Sequence, residues 1–388
     1  MGQQNNSKRP PVLLATMSLG LGGAETHVVS LATGLKRRGW QVIVASAGGY
    51  QVRELERELI PHVEIPLDSR SPFKMAESFV RLSKLVQREG VGLIHAHARI
   101  PGFLSRAVAR QYGIPMVMTY HFPFKSGFPW KFFSPPGDIT IAVSEDIRTY
   151  IGREFGIPTE STVVIPNGID TAVFRPPSAE EVEASRTLFG LSPADWPVLA
   201  YASRLAPELA EAAIATIQAV GMLAEGMPGI TLLVAGDGSE LPVVEAEAAK
   251  INSSLRRKAV RVLGLVENMP PVYWVSSLVV GMSRVALEAM ACAKPVVIAG
   301  PGGVTGPVQS DTLPFLALRN FTSRDAPEAL SASSIAAHVR TVLNEPARAE
   351  DLGRYGRDLV VRSYSVDSMV AQTESVYENL LSTRQFSR

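Results

Sequence analysis

The sequence predicts an α/β fold class: two doubly wound domains in tandem. Three observations carry this. Short apolar runs alternate with amphipathic helical segments, the pattern of parallel β-α-β units. The pattern pauses at a double proline, Pro176-Pro177, and restarts with "PVLAYASRL" at Pro197. At 388 residues the chain is also too long for one ordinary core.

Residues 1–10 are polar and read as a disordered lead-in. They lack the apolar stretch of a secretory signal. "PVLLAT" (11–16) is a buried strand, and "MSLGLGGAE" is its glycine loop. A helix runs from there to about Arg38 and is closed by Gly39. Further strands are expected at "QVIVAS" (41–46), "HVEIP" (62–66), "GLIHAH" (92–97), "PMVMTYH" (115–121) and "ITIAVS" (139–144). Helical segments lie between them. In the one over 73–89, Phe79, Leu82 and Val86 make an apolar face, and Lys74, Arg81, Lys84 and Arg88 lie largely elsewhere. Asn167-Gly168 is a turn signal, and the first domain is taken as 11–176.

The second domain is taken as 177–365. Its strands are expected in 197–205, in "ITLLVAGDG" (230–238), and at "AVRVLG" (259–264), "SLVVG" (277–281) and "PVVIAG" (295–300), with a helix over 207–225. A helix-rich tail ends in an amphipathic segment, 366–383. No fixed-period repeat is evident.

Composition narrows the function. The chain is 46% hydrophobic and 19% charged, as folded proteins are, and its net charge of +1 gives no basic field for nucleic acid. One cysteine, Cys292, excludes an internal disulfide framework and a Cys-based zinc cluster, and fits a reducing cytoplasm. No apolar run approaches the roughly 18–20 residues of a spanning helix, so a soluble or peripheral protein is expected.

In doubly wound sheets, ligands bind beyond the carboxyl ends of the strands, and two such domains facing each other make a cleft. Polar residues just after strands are therefore the candidates. "GLGGAE" (20–25) can bring backbone N–H groups to an anion, yet Glu25 stands where a dinucleotide fingerprint needs glycine. His95 and His97 are read as facing opposite sides of their strand, which does not favour joint chelation, and no metal site is expected. One of them faces the cleft near Arg99; the other is a satisfied histidine. His121 leaves a strand end. "FPFKSGFPWKFFSPPGD" (122–138) is too broken for a helix and suits a lid, a packed loop or a surface dipping into a bilayer interface. Arg204 follows a strand and suits bidentate phosphate recognition. Gly236 lies in a turn that supports a base or merely connects elements. In "SSLVVGMSRVALEAMACAKPVVIAGPGG" (276–303), Ser283 is positioned to cap a helix, and Arg284 and Glu288 are charges inside an apolar run.

In order and combination, "GGAETHVVSLATGLKRRGWQVIVAS", "IHAHARIPG", "TYH", "IAVSEDI", "VIPNGIDTAVFRP", "SRLAPE", "LLVAGDG" and "ALEAMACAKPVV" resemble a retaining glycosyltransferase of family 4, across nearly the whole chain. The resemblance implies the GT-B fold, two Rossmann-like domains facing across a cleft, and a cytoplasmic enzyme, free or peripheral at the membrane face, of the kind that builds cell-envelope polysaccharide. It implies a nucleotide-diphosphate sugar, UDP-linked at the family level, as donor and a glycan or lipid-linked acceptor. No metal or other cofactor is implied; positive residues and helix N-termini stabilise the leaving group. Gly22 and Gly23 match the first glycine loop, His121 the histidine near the transferred sugar, Arg204 the diphosphate-binding arginine, and Glu288 the glutamate at the ribose. Gly236 and Ser283 fall on the donor side, His97 and Arg99 on the acceptor side. The last helix is expected to return to the first domain.

Two positions depart from the family. Leu209 stands where a lysine usually helps to hold the diphosphate, and Val280 where a first glutamate meets the sugar. Arg284 is the expected replacement cation; the other reading pairs it with Glu288, its i+4 neighbour. The departures keep two alternatives open: an impaired binding protein on this scaffold, and a nucleotide-sugar epimerase. The basic helix and the aromatic loop would suit a lipid-linked acceptor at a membrane surface.

Overall fold

The computed structural model describes residues 9–20, 22–128 and 130–385. Most of the expected lead-in, residues 1–8, lies outside them, as do Leu21 of the first glycine loop and Pro129 of the aromatic loop. The chain divides into two compact units: 1–168 with 366–388, and 169–365.

The first unit is built from β1 (Val12–Thr16), α1 (Gly23–Arg37), β2 (Val42–Ser46), α2 (Val52–Arg57), β3 (His62–Glu64), α3 (Pro72–Glu89), β4 (Leu93–His97), α4 (Arg99–Tyr112), β5 (Met116–Tyr120), β6 (Ile139–Ala142), α5 (Glu145–Phe155) and β7 (Thr162–Val164). Its seven-stranded sheet has the order β3-β2-β1-β4-β5-β6-β7, and every pairing is parallel. A strand covered on both faces reads as one apolar run, and β1 shows how that run is sorted. Leu13 and Ala15 enter the core on one face, and Val12 and Leu14 that on the other. Helices stop where backbone sterics allow: α3, α4 and α5 all end on a glycine in the left-handed region, Gly90, Gly113 and Gly156.

The second unit holds α6 (Ala179–Leu188), β8 (Val198–Ala202), α7 (Pro207–Leu223), β9 (Thr231–Ala235), α8 (Leu241–Leu255), β10 (Val260–Gly264), α9 (Pro270–Trp274), β11 (Leu278–Gly281), α10 (Ser283–Ala291), β12 (Val296–Gly300), β13 (Gly303–Pro307), α11 (Leu313–Leu318), α12 (Ala332–Leu343) and α13 (Pro346–Ser363). The sheet order is β10-β9-β8-β11-β12-β13, parallel except for the antiparallel β12–β13 edge. Here too β8 alternates, Leu199 and Tyr201 against Val198 and Ala200.

Residues 169–176 fall in the second unit, so the change of unit comes eight residues before the expected boundary at 176. Ile169 is fully buried there and bridges Ser365, and Phe174 joins the same core. Arg357 of α13 donates to the carbonyls of Phe174 (2.8 Å), Ala291 (2.7 Å) and Thr171 (3.3 Å), pinning the segment.

The last helix, α14 (Val366–Gln385), belongs to the first unit and packs on α1. Met369, Val370 and Tyr377 complete one of that unit's two cores. Gly34 makes the approach possible: a Cβ there would lie 2.4 Å from Val370 Cγ2. Glu374 accepts from Trp40 Nε1 at 3.0 Å and pairs with Arg9 and Arg38, each at 2.9 Å. No helix among the described residues is long and apolar enough to cross a membrane.

Candidate functional site

In the first unit the strand ends converge on histidines. The glycine loop leads into α1, where Gly22 is extended and its carbonyl accepts from Thr26 Oγ1 at 2.9 Å. A Cβ on Gly23 would meet no other atom within 4 Å, so the start of α1 is open there. One turn later α1 buries His27.

His95 and His97 do not face opposite sides. Two residues apart on β4, they share a face of the sheet, with ring centroids 4.1 Å apart. His95 is the satisfied histidine: Nδ1 lies 2.6 Å from Tyr377 Oη and Nε2 2.6 Å from Thr119 Oγ1. His97 instead approaches His121, with Nδ1 3.3 Å from Nε2, and His27 packs edge-on to His121 with ring centroids 4.7 Å apart. One ring nitrogen from each of His27, His97 and His121 lies within 4.8 Å of the other two.

Burial keeps His95, His97 and His121 neutral. It lowers His95 to about 3 and His121 to about 4, the latter against an opposing pull from Asn167. His97 is held well below the usual histidine range by burial first and then by the neighbouring imidazoles. At neutral pH the rings can accept and donate hydrogen bonds but carry no charge.

Arg99, expected on the acceptor side, holds the aromatic loop. Its Nε donates to Ser134 Oγ at 2.8 Å and its Nη2 to the Lys125 carbonyl at 2.6 Å, and its guanidinium lies 5.1 Å from the ring centres of both Phe124 and Trp130. The loop is irregular in its described residues. Phe124 is buried, whereas Phe122, Phe128 and Phe132 are exposed, Phe128 by 95%. Arg70 stacks on Trp130 at 5.3 Å, placing the loop beside the start of α3, where Phe73 is 89% exposed.

In the second unit, Arg204 sits two residues past β8, exposed, and no hydrogen bond or ion pair among the described residues engages it. Gly236 shapes the backbone that carries it. With φ of 152°, Gly236 sits so close that a Cβ would lie 2.0 Å from the Ser203 carbonyl oxygen. Ser203 N–H donates to Ala235 O at 3.2 Å and Leu205 N–H to Asp237 O at 2.9 Å, so the turn after β9 clamps residues 203–205.

Ser283 does not cap α10 with its side chain. It is the helix's first residue, at φ of 52°, its N–H donates to Phe321 O at 2.6 Å, and Met282 is the N-cap. The strand runs directly into the helix, leaving no extended residue at 283 from which a hydroxyl could reach forward. Arg284 does not stand free as a second cation: its Nε donates to Glu288 Oε1 at 2.7 Å. Glu288, 7% exposed, also accepts from Tyr273 Oη at 2.9 Å. One cation and one hydroxyl thus balance the buried carboxylate. Val280 is fully buried in β11 opposite Tyr201 and Val297. Cys292 is buried, and burial pushes its thiol up to about 12, far from a nucleophile's range.

Two partners escaped the sequence reading. His27 was findable, because it occupies a core position of α1 beside Val28 and Leu31. Tyr273 had no local signal; only the fold brings it to Glu288, 15 residues later.

The family model Glycosyltransferase Family 4 matches residues 21–173, and Glycosyl transferases group 1 matches residues 196–335. Alpha-maltose-1-phosphate synthase of Mycolicibacterium smegmatis is 24% identical over 327 residues, 77% of this chain and 82% of that protein. A glycosyltransferase from Rickettsia africae superposes with a TM-score of 0.79 at 19% identity, covering 96% of this chain and 99% of its own. Anabaena HepE in complex with UDP superposes at 0.76 with 18% identity, covering 95% and 100%.

Proposed function

Because the chain belongs to glycosyltransferase family 4, the glycosyl transferases group 1, with the GT-B fold, we propose that it moves a sugar from a UDP-sugar to a glycan or lipid-linked acceptor, with retention and without a metal ion. The observation that carries the reading is Arg204: an exposed, unengaged guanidinium past a parallel strand's carboxyl end, on backbone fixed by a glycine turn. As the glycosyl bond breaks, negative charge gathers on the departing diphosphate. A guanidinium held in place stabilises that charge bidentately and without reorganising. The UDP held by HepE, a protein of the same fold, supports the choice of base.

The remaining roles follow from chemistry. His121, kept neutral by burial, hydrogen-bonds a hydroxyl of the transferred sugar. Glu288 uses one lone pair on each oxygen for Arg284 and Tyr273, and a carboxylate has about four, so it can still accept from a ribose. The exposed Phe122, Phe128 and Phe132 beside Lys125 and Lys131 suit an anionic membrane interface where a lipid-linked acceptor resides.

The test is nucleotide release with a panel of UDP-sugars and acceptors. Arg204→Ala is expected to cost about a hundredfold or more in kcat at unchanged thermal stability. Wild-type turnover in that variant sinks the reading. A second reading, a nucleotide-sugar binder without turnover, is favoured by one observation: with Leu209 in place of lysine and Arg284 engaged by Glu288, the diphosphate lacks its usual second cation. Tight UDP-sugar binding without nucleotide release under any acceptor would select it.

A further inference from the structure

We propose that His27, His97 and His121 form a site for one divalent transition-metal ion, with zinc the best fit, and that the bound ion inhibits sugar transfer. The inhibition rests on the role given to His121 above; the ion site does not.

Three separate elements supply the ligands: α1, the end of β4, and the residue after β5. One nitrogen from each lies within 4.8 Å of the other two. His97 Nδ1 and His121 Nε2 are 3.3 Å apart, long for a hydrogen bond, whose usual separation is about 2.9–3.0 Å. It matches two ligands on a tetrahedral zinc: with bonds of about 2.0–2.1 Å, the tetrahedron's edge is about 3.3–3.4 Å. Small rotations of His27 would complete a three-ligand set and leave a fourth position for water.

Hydrogen bonding alone does not account for the cluster. His97 is 2% exposed, yet its Nε2 has no hydrogen-bond partner. His95, on the same strand, has both nitrogens matched, and its ring packs on His97 and fixes its plane. One histidine of the strand is thus built into the core, while its neighbour leaves Nε2 unmatched and turns Nδ1 toward His121. The donor set is three imidazoles with no carboxylate, which selects zinc, copper, nickel or cobalt over magnesium and calcium. His121, half-buried, leaves a path from solvent. An ion on His121 Nε2 takes that nitrogen from the sugar.

Equilibrium dialysis of the purified full chain against zinc chloride tests the site. One zinc per chain is expected, weakened more than about tenfold by His97→Asn or His27→Asn and unchanged by His62→Asn, whose ring bonds Ser46 elsewhere. No stoichiometric binding, or equal binding by His97→Asn, overturns the proposal. Zinc-edge X-ray absorption of the loaded wild type needs no folded variant: three imidazoles support the site, and fewer than two overturn it. Turnover separates the two claims. Zinc bound by the cluster without inhibition refutes the role given to His121, whereas inhibition without binding at the cluster refutes the ion site.

Discussion

Acid should unfold the first unit before the second. Five of the six histidines lie in the first unit, and among them buried His95 and His97 and half-buried His121 have lowered pKa. A histidine whose folded pKa lies below its unfolded value contributes stability that is complete above the unfolded pKa, near 6.5, and is lost as pH falls below it, because the unfolded chain takes up the proton first. At pH 5 an unfolded histidine is about 1.5 units below its pKa, and at roughly 1.4 kcal/mol per unit each buried ring costs about 2 kcal/mol. This figure depends little on how low the folded value lies, since a group at about 3 or about 4 remains mostly neutral at pH 5. His95 and His121 together remove about 4 kcal/mol, and His97 acts in the same direction, a large share of the stability of an ordinary domain. The second unit carries only His338, paired with Glu328 on its surface. Hydrogen exchange read by mass spectrometry on peptides from each unit, in chelator-treated buffer at pH 7 and pH 5, measures the two separately. Equal protection of first-unit strands at both pH values, or an equal loss in both units, would refute the reasoning.

Tyr273→Phe removes the hydroxyl that donates to buried Glu288, and should lower the second unit's stability by about 1–3 kcal/mol in urea titration; no change would mean that Arg284 alone suffices. Gly34→Ala places a Cβ against Val370, and should loosen α14 and cost about 1–3 kcal/mol despite alanine's better helix propensity. Limited proteolysis of the last twenty residues reads it, and unchanged cleavage counts against the close packing. Phe128→Ser with Phe132→Ser should abolish sedimentation with anionic liposomes while leaving the melting temperature unchanged, since both rings are exposed. Sedimentation equal to wild type would remove the loop from any membrane contact.

The strands were legible because most are buried on both faces, so each reads as an unbroken apolar run between glycine or polar loops. The β13 edge was not. "GVTGP" has too little side chain to read as a strand, and its Gly303 and Gly306, at φ of 123° and 90°, lie close against Glu328 O and the His338 ring. The unit boundary was misplaced because a double proline marks a stop in secondary structure, while membership of a unit is decided by burial, here of Ile169 and Phe174. The places of His121 and Arg204 just past strand ends were readable by position. Their surroundings were not. The face shared by His95 and His97 follows from a spacing of two, yet the convergence of His27 on His97 and His121 needs α1 laid across the sheet. The partner of Arg284 was legible as an i+4 neighbour, but Tyr273 decides how fully Glu288 is engaged.

The return of α14 ties the order of synthesis to the order of assembly. A ribosome making this chain releases β1 to β7 first, but Tyr377, which meets His95 in the heart of that sheet, comes only after 197 intervening residues, 169 to 365. At about 5–20 residues per second that is a wait of roughly 10–40 s, during which His95 Nδ1 and the α1 face around Gly34 lack their partners. The second unit, continuous in the chain, can close its core during this interval. The part made first is therefore the part finished last, and a nascent chain stalled before Tyr377 would present an apolar groove on its first unit to chaperones.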